Sequence, residues 1–136
     1  MDYKFELVIV PVTDVDRAKA FYADRLGFHL DVDHDAGEAF RVVQLTPPGS
    51  ACSVSFGRGL TDAPPGSAQG MHLVVSDIAG AHAELAGRGV EMGELHHFVD
   101  GERRPGVDPD HTDFNSFARF EDPDGNVWVL QERDHR

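Results

Sequence analysis

The chain has 136 residues, with 24 Asp and Glu against 12 Lys and Arg, a formal net charge of −12, and 40% hydrophobic residues including nine Phe. That apolar content is enough for a core and excludes a disordered chain, while the acidic field and the lack of a basic stripe exclude nucleic acid as a partner. The longest apolar run, Leu7 to Val10, is too short to span a bilayer, and the opening Met1-Asp2-Tyr3-Lys4-Phe5-Glu6 lacks the layout of a secretion signal, so no membrane partner is expected.

In chain order, Phe5 to Val12 is an apolar, β-branched run that predicts a strand. Asp14 can cap the helix that follows, in which Val15, Ala18, Phe21, Tyr22 and Leu26 share one face. Gly27 stops it. Strand-like pieces follow at about Phe28 to Val32, Ala39 to Thr46 and Ala51 to Phe56, the last two joined by a turn at Pro47-Pro48-Gly49. Cys52, the single cysteine, sits in this run as a small apolar residue. It cannot form an internal disulfide, and a reducing, cytoplasmic setting fits it best. Residues 58 to 69, rich in Gly, Pro and Ser, form a linker.

The second half repeats the pattern. Met71 to Val75 predicts a strand, Asp77 a cap, and Ile78, Ala81 and Leu85 a helix face that Gly89 ends. Val90 to Phe98, Ser116 to Phe120 and Val127 to Glu132 predict strands. Asp122-Pro123-Asp124-Gly125 suits a type I turn in a hairpin between the final two. Shifted by 63 positions, Val12 to Arg25 and Val75 to Arg88 share Val, Asp, Ala, Ala, Ala and Arg. The chain therefore reads as an internal duplication, with one module over residues 5–57 and another over residues 70–132. The expected class is α+β: two βαβββ modules whose curved mixed sheets surround a cleft, with the helices on the outer faces.

Two segments carry a family resemblance. They are Val12-Thr13-Asp14-Val15-Asp16-Arg17-Ala18-Lys19-Ala20-Phe21-Tyr22 with Leu26-Gly27-Phe28, and Phe120-Glu121-Asp122-Pro123-Asp124-Gly125-Asn126 with Trp128. With them the chain resembles the vicinal oxygen chelate superfamily, which includes glyoxalase I, extradiol dioxygenases, fosfomycin-resistance enzymes and bleomycin-resistance proteins. The resemblance runs from Phe5 to Glu132 and implies paired βαβββ modules and a homodimer. It also implies, in the enzymatic members, one divalent metal held by His and Glu that polarises a carbonyl or enediolate.

On a glyoxalase-like alignment the four ligand positions fall at Leu7, Ser53, His72 and Val129. Leu and Val have no donor atom and a neutral Ser is a poor ligand, so no metal and no other cofactor is expected there. His72 is either a wall histidine bonded to a neighbour or a ligand contact or general base. Alternation from those positions gives an apolar wall with polar tips: Phe5, Leu7, Ile9, Ser53, Ser55, His72, Val74, Val127, Val129 and Gln131. Trp128 and Leu130 alternate away from it, towards a helix-packed core, with Trp128 as a stacking platform the weaker reading.

Other candidates are less pointed. His96 and His97 are adjacent, so on a strand they face opposite sides and do not share an ion. His111, within Asp108-Pro109-Asp110-His111-Thr112-Asp113, belongs either to a cation-binding loop or to a solvated one. The stretch Asp100 to Asp113 is long for a connection and reads as a lid or a flexible charged loop, in which Arg103-Arg104 could reach an anionic group. Gly-x-Ser-x-Gly and phosphate-loop motifs are absent from the sequence.

The leading expectation is a metal-free protein of the bleomycin-resistance type that sequesters a small aromatic or cationic compound. The alternatives are a metal-independent isomerase, lyase or cyclase using His72 with Glu6 or Glu132, and a glyoxalase- or dioxygenase-like metalloenzyme with a shifted ligand set.

Overall fold

The computed structural model describes residues 1–136. The chain forms two compact units, Met1–Ala68 with Asp122–Asn126, and Gln69–Glu121 with Val127–Arg136. Each contains one mixed sheet and one helical segment, which gives the expected α+β class.

The first unit holds a sheet in the order β1 (Leu7–Ile9), β4 (Ser53–Arg58), β3 (Arg41–Thr46), β2 (His29–Asp35). β1 runs parallel to β4, with Leu7 opposite Ser53 and Ile9 opposite Ser55; the other pairs are antiparallel. β1 is shorter than the expected Phe5 to Val12. Pro11, which has no N–H to give to the ladder, follows it closely. β2 runs on to Asp35 and is exposed along its whole length.

Asp14 caps α1 (Val15–Ala20) as expected, its Oδ1 accepting the Arg17 N–H at 3.0 Å. The continuous α-helix expected up to Leu26 changes instead into a π-helical turn over Phe21–Arg25, where the Leu26 N–H reaches back to the Phe21 carbonyl at 3.0 Å. Its sequence neighbours Phe21 and Tyr22 are both buried, at 8% and 0% exposure. Tyr22 packs between Phe28 and Phe56, with ring centroids 5.8 and 5.5 Å away. Gly27 ends the segment at φ 75°, a left-handed conformation that favours glycine.

The turn Asp122–Asn126 belongs to this unit although the strands on either side of it belong to the other. Tyr22 donates its hydroxyl to Asp122 Oδ2 at 2.7 Å. Asn126 donates Nδ2 to the Pro11 carbonyl at 2.9 Å and accepts the Ala68 N–H at 3.0 Å. Asp124 Oδ1 accepts from the Thr13 backbone and hydroxyl at 3.1 and 2.7 Å. The Asp-Pro-Asp-Gly-Asn run is therefore a turn whose side chains also fasten the first module. The Tyr22–Asp122 and Asn126–Pro11 bonds are buried, where leaving either partner unpaired is costly, while the Thr13–Asp124 bonds are exposed.

The second unit holds a sheet in the order β5 (Met71–Val75), β9 (Val127–Glu132), β8 (Ser116–Glu121), β6 (His96–Val99), β7 (Glu102–Pro105). β5 is parallel to β9 and the remaining pairs are antiparallel. α2 (Ile78–Gly87) starts at Asp77, whose Oδ1 accepts the Gly80 N–H at 3.0 Å, and packs against β8 and β9. One face of the sheet, carrying Ala118, Phe120, Trp128, Leu130 and Glu132, is buried to 3% exposure or less. Trp128 thus belongs to the core, stacked at 6.3 Å on Phe120, as the alternation predicts.

Two expectations are corrected in this unit. The strand expected over Val90 to Phe98 is confined to His96–Val99. The stretch Asp100 to Asp113 is not an unstructured loop. Glu102–Pro105 pairs with His96–Val99 as a hairpin, and the buried Asp108 organises the rest. Its carboxylate accepts the N–H groups of Asp110 and Thr112 and the Asn115 amide, at 3.0, 3.2 and 3.1 Å. A short strand of charged residues, Glu-Arg-Arg-Pro, gives almost no hydrophobic signal, which is why the sequence hides it.

Candidate functional site

The open face of the second sheet carries a cavity of about 490 Å³, lined by His72, Gly93, Glu94, His96, Phe98, Arg103, Phe117, Arg119 and Val129. Strand register explains why these side chains meet. His72 is opposite Val129, Val129 opposite Arg119, Phe117 opposite His96, and Phe98 opposite Arg103. Paired residues point to the same face, and so do residues two apart on one strand, so these neighbouring rows share one face of the five-stranded sheet. The helix-packed face uses the alternate residues, and adjacent His96 and His97 divide between the two. His96 lines the cavity, while His97 is 7% exposed with Nδ1 2.8 Å from the Gly106 carbonyl oxygen.

Three rings form an aromatic wall. His96 stacks on Phe117 at 5.7 Å with an interplanar angle of 25°. Phe98 stands edge-on to both, 5.8 Å from each. Such a wall offers large apolar area and π-faces to a planar guest. Two guanidinium groups, Arg103 and Arg119, lie beside it with one carboxylate, Glu94. Arg119 has only a loose, exposed contact with Glu121 at 3.8 Å. Arg104, by contrast, is bonded to Glu102 at 3.0 Å and does not line the cavity, so only one of the two expected arginines faces it. The chain is acidic as a whole, but its cavity carries more arginine than carboxylate.

Gly93 sets the floor. Its N–H reaches the Arg119 carbonyl at 2.7 Å, and a Cβ there would lie 2.8 Å from that same oxygen. Only glycine allows so close an approach. His72 is exposed, with Nδ1 2.6 Å from the Gly70 carbonyl oxygen. A carbonyl only accepts, so Nδ1 carries the proton and Nε2 is the nitrogen with a free lone pair in the neutral ring.

Of the residues expected from the sequence, His72 and Val129 line this cavity. Val74, Val127 and Gln131 share its sheet face by alternation but are outside the lining. Val74 is 53% exposed, and Gln131 donates Nε2 to the Phe114 carbonyl at 3.3 Å. Phe5, Leu7, Ile9, Ser53 and Ser55 lie in the other unit. There Leu7 and Ser53, and Ile9 and Ser55, are partners on one face of the first sheet, while Phe5 precedes β1 and is exposed. Ser53 Oγ is 2.7 Å from Thr46 Oγ1, and the buried Ser55 Oγ has no hydrogen-bonding partner. Glu94, His96, Phe98, Phe117 and Arg119 were missed as site residues. Alternation from the family's ligand positions reaches only the strands that carry them. Extending it to β6 and β8 picks out these rings and Arg119.

The four positions that would hold the family's metal do not fit a divalent ion. Leu7 and Val129 offer no donor, the Ser53 hydroxyl is engaged with Thr46, and His72 alone is an imidazole. One nitrogen ligand does not make a site for zinc, nickel or iron. Glu132, considered above as a proton-transfer partner for His72, is on the opposite face of the sheet and 1% exposed.

The Glyoxalase/Bleomycin resistance protein/Dioxygenase superfamily model matches residues 4–130. Among solved structures, TnmS3, an antibiotic binding protein from Streptomyces sp. CB03234, is 32% identical with a TM-score of 0.75, the match covering 96% of each chain. A member of the same superfamily from Sphaerobacter thermophilus DSM 20745 is 27% identical with a TM-score of 0.74, covering 97% of this chain and 98% of that one. The uncharacterized protein YetH of Bacillus subtilis (strain 168) is 28% identical over 130 residues, 92% of this chain and 94% of its own length. The duplicated modules, their sheets and these likenesses place the chain in the glyoxalase/bleomycin resistance protein/dioxygenase superfamily.

Proposed function

We propose that the protein binds and sequesters a small aromatic molecule in the cavity of the second sheet, with no metal at the family's usual position. The observation that carries this reading is the three-ring wall of His96, Phe98 and Phe117 beside Arg103 and Arg119. A cavity of about 490 Å³ is within the range of small-molecule sites. The antibiotic-binding neighbour supports the same reading. Of the two expected guests, aromatic and cationic, the cavity favours the aromatic one. Its guanidinium groups suit a carboxylate, phenolate or carbonyl on the guest, and they repel an ammonium. Function as a homodimer in a cytoplasmic setting is part of this proposal, and sedimentation equilibrium checks the dimer.

The test is a calorimetric titration with 2-naphthoate, 2-naphthol and 2-naphthylmethylammonium as probes. The wild type is expected to bind the naphthoate best. Phe117→Ala should weaken all binding at least tenfold, about 1.4 kcal/mol. Arg119→Ala should narrow the gap between anion and cation. Flat titrations, or affinities unchanged by Phe117→Ala, contradict the assignment.

One observation favours a second reading, a metal-independent enzyme. His72 presents Nε2 as a base on a cavity that also holds Glu94. In that case His72→Ala abolishes turnover of a bound substrate while leaving its affinity within a few-fold; unchanged turnover removes His72 from the mechanism.

A further inference from the structure

On the helix-packed side of the second sheet, three side chains meet that take no part in the cavity. Glu132, at the end of β9, is 1% exposed. His111 Nδ1 lies 2.8 Å from its Oε1, and His135 Nδ1 lies 3.3 Å from its Oε2. The two imidazoles stack with centroids 3.5 Å apart. The candidate ligand atoms of all three all lie within 4.8 Å of one another. We propose that His111, Glu132 and His135 form a binding site for a borderline divalent transition-metal ion such as zinc.

The donor set suits such an ion. Two imidazoles and a carboxylate with an open position make a familiar three-ligand zinc arrangement, with metal–ligand distances of about 2.0–2.2 Å. The Nδ1–oxygen separations of 2.8 and 3.3 Å run to the two different oxygens of Glu132, and His135 Nδ1 is also 3.1 Å from the Ser76 carbonyl oxygen, so both Nδ1 atoms face acceptors and an incoming ion takes the place of their protons. The rings are nearly parallel, 8° apart, so one imidazole must swing about its Cβ–Cγ bond to aim at a common point. Both are about one-third exposed, which leaves them that freedom and gives an ion access. The carboxylate is the fixed member. Its Oε2 also accepts the Ile78 N–H at 3.0 Å, the kind of outer contact that orients a ligand.

The backbone around the cluster is held rather than loose. His111 and Asp134 have φ values of 49° and 53°, left-handed positions that are unfavourable for side-chain-bearing residues. Asp134 donates its N–H to Asp113 at 2.9 Å, and Arg136 donates its own to the Ser76 carbonyl at 3.0 Å. These bonds pin the segment that presents His135. The His111 N–H bonds the Asp108 carbonyl at 3.0 Å within the acidic loop, while its imidazole turns to Glu132 and His135.

The experiment is a titration of zinc alone into chelator-stripped, full-length protein by calorimetry, paired with thermal melts. The wild type should bind one zinc with micromolar or tighter affinity and melt higher with it. His135→Ala and His111→Ala, both at part-exposed positions, should each weaken binding at least tenfold and lose the zinc-dependent rise in Tm. His34→Ala, on the first sheet, should do neither. The absence of zinc binding to the wild type, or binding that survives His135→Ala within twofold, overturns the proposal. Far-UV circular dichroism of the variants separates lost ligation from lost folding: a variant that keeps the wild-type spectrum and still binds zinc counts against the site.

Discussion

Three carboxylates in this chain illustrate how placement sets chemistry. Asp33 is held well below the ordinary carboxylate range by hydrogen bonds from Arg41 and then Lys19. Asp108 is lowered to about 2, chiefly by the Asp110 N–H and the Asn115 amide. For Glu132 burial pushes the pKa up, but the Ile78 N–H and His111 bonds outweigh it and leave it lowered. A carboxyl whose folded pKa is depressed adds stability that is present above its unfolded value and is lost as pH falls through the folded one. Melting temperature should therefore drop between about pH 4, the unfolded value, and pH 2, with Asp108→Asn flattening part of that slope. A Tm independent of pH across that window would contradict the hydrogen-bonding roles given to these groups. None of these roles can be read from residue type alone, because each depends on donors brought in by the fold.

The elements were legible in proportion to their hydrophobic rhythm. β5 and β9 come out with the expected boundaries, since both alternate or run apolar between clear breaks. Both caps, Asp14 and Asp77, act as the sequence suggests. The π turn at Phe21–Arg25 was not legible, because α and π windings place nearly the same residues inward. β7 was hidden by its charges, and β6 by a mixed stretch from Val90 onward in which only His96–Val99 pairs as a strand. Close approach of elements also leaves a testable trace. Gly57 on β4 faces β3 so tightly that a Cβ would lie 1.7 Å from the Arg41 carbonyl oxygen. Gly57→Ala must spread that strand pair and should cost about 2–3 kcal/mol in chemical denaturation. A loss under half a kilocalorie would show that the β3–β4 ladder gives way freely.

At the scale of the whole chain, duplication has produced two modules with matching layouts and different faces. The first sheet offers Leu7, Ile9, Ser53 and Ser55; the second offers rings and guanidinium groups. The repeat, the sheet order and the family were all open to a reader of the sequence, since they rest on spacing and turn motifs. The cavity was open only in part, because the residues that line it follow from strand pairing across β6, β7 and β8 and not from the family's ligand positions. The acidity of the chain pointed towards a cationic guest, and the local charge of the cavity points the other way.

The most direct test of the central claim is chemical-shift mapping of 15N-labelled protein titrated with 2-naphthoate. Saturable shifts centred on His72, His96, Phe98, Arg103, Phe117, Arg119 and Val129 are expected. Shifts confined to other surfaces, or none up to about 1 mM naphthoate, would contradict it.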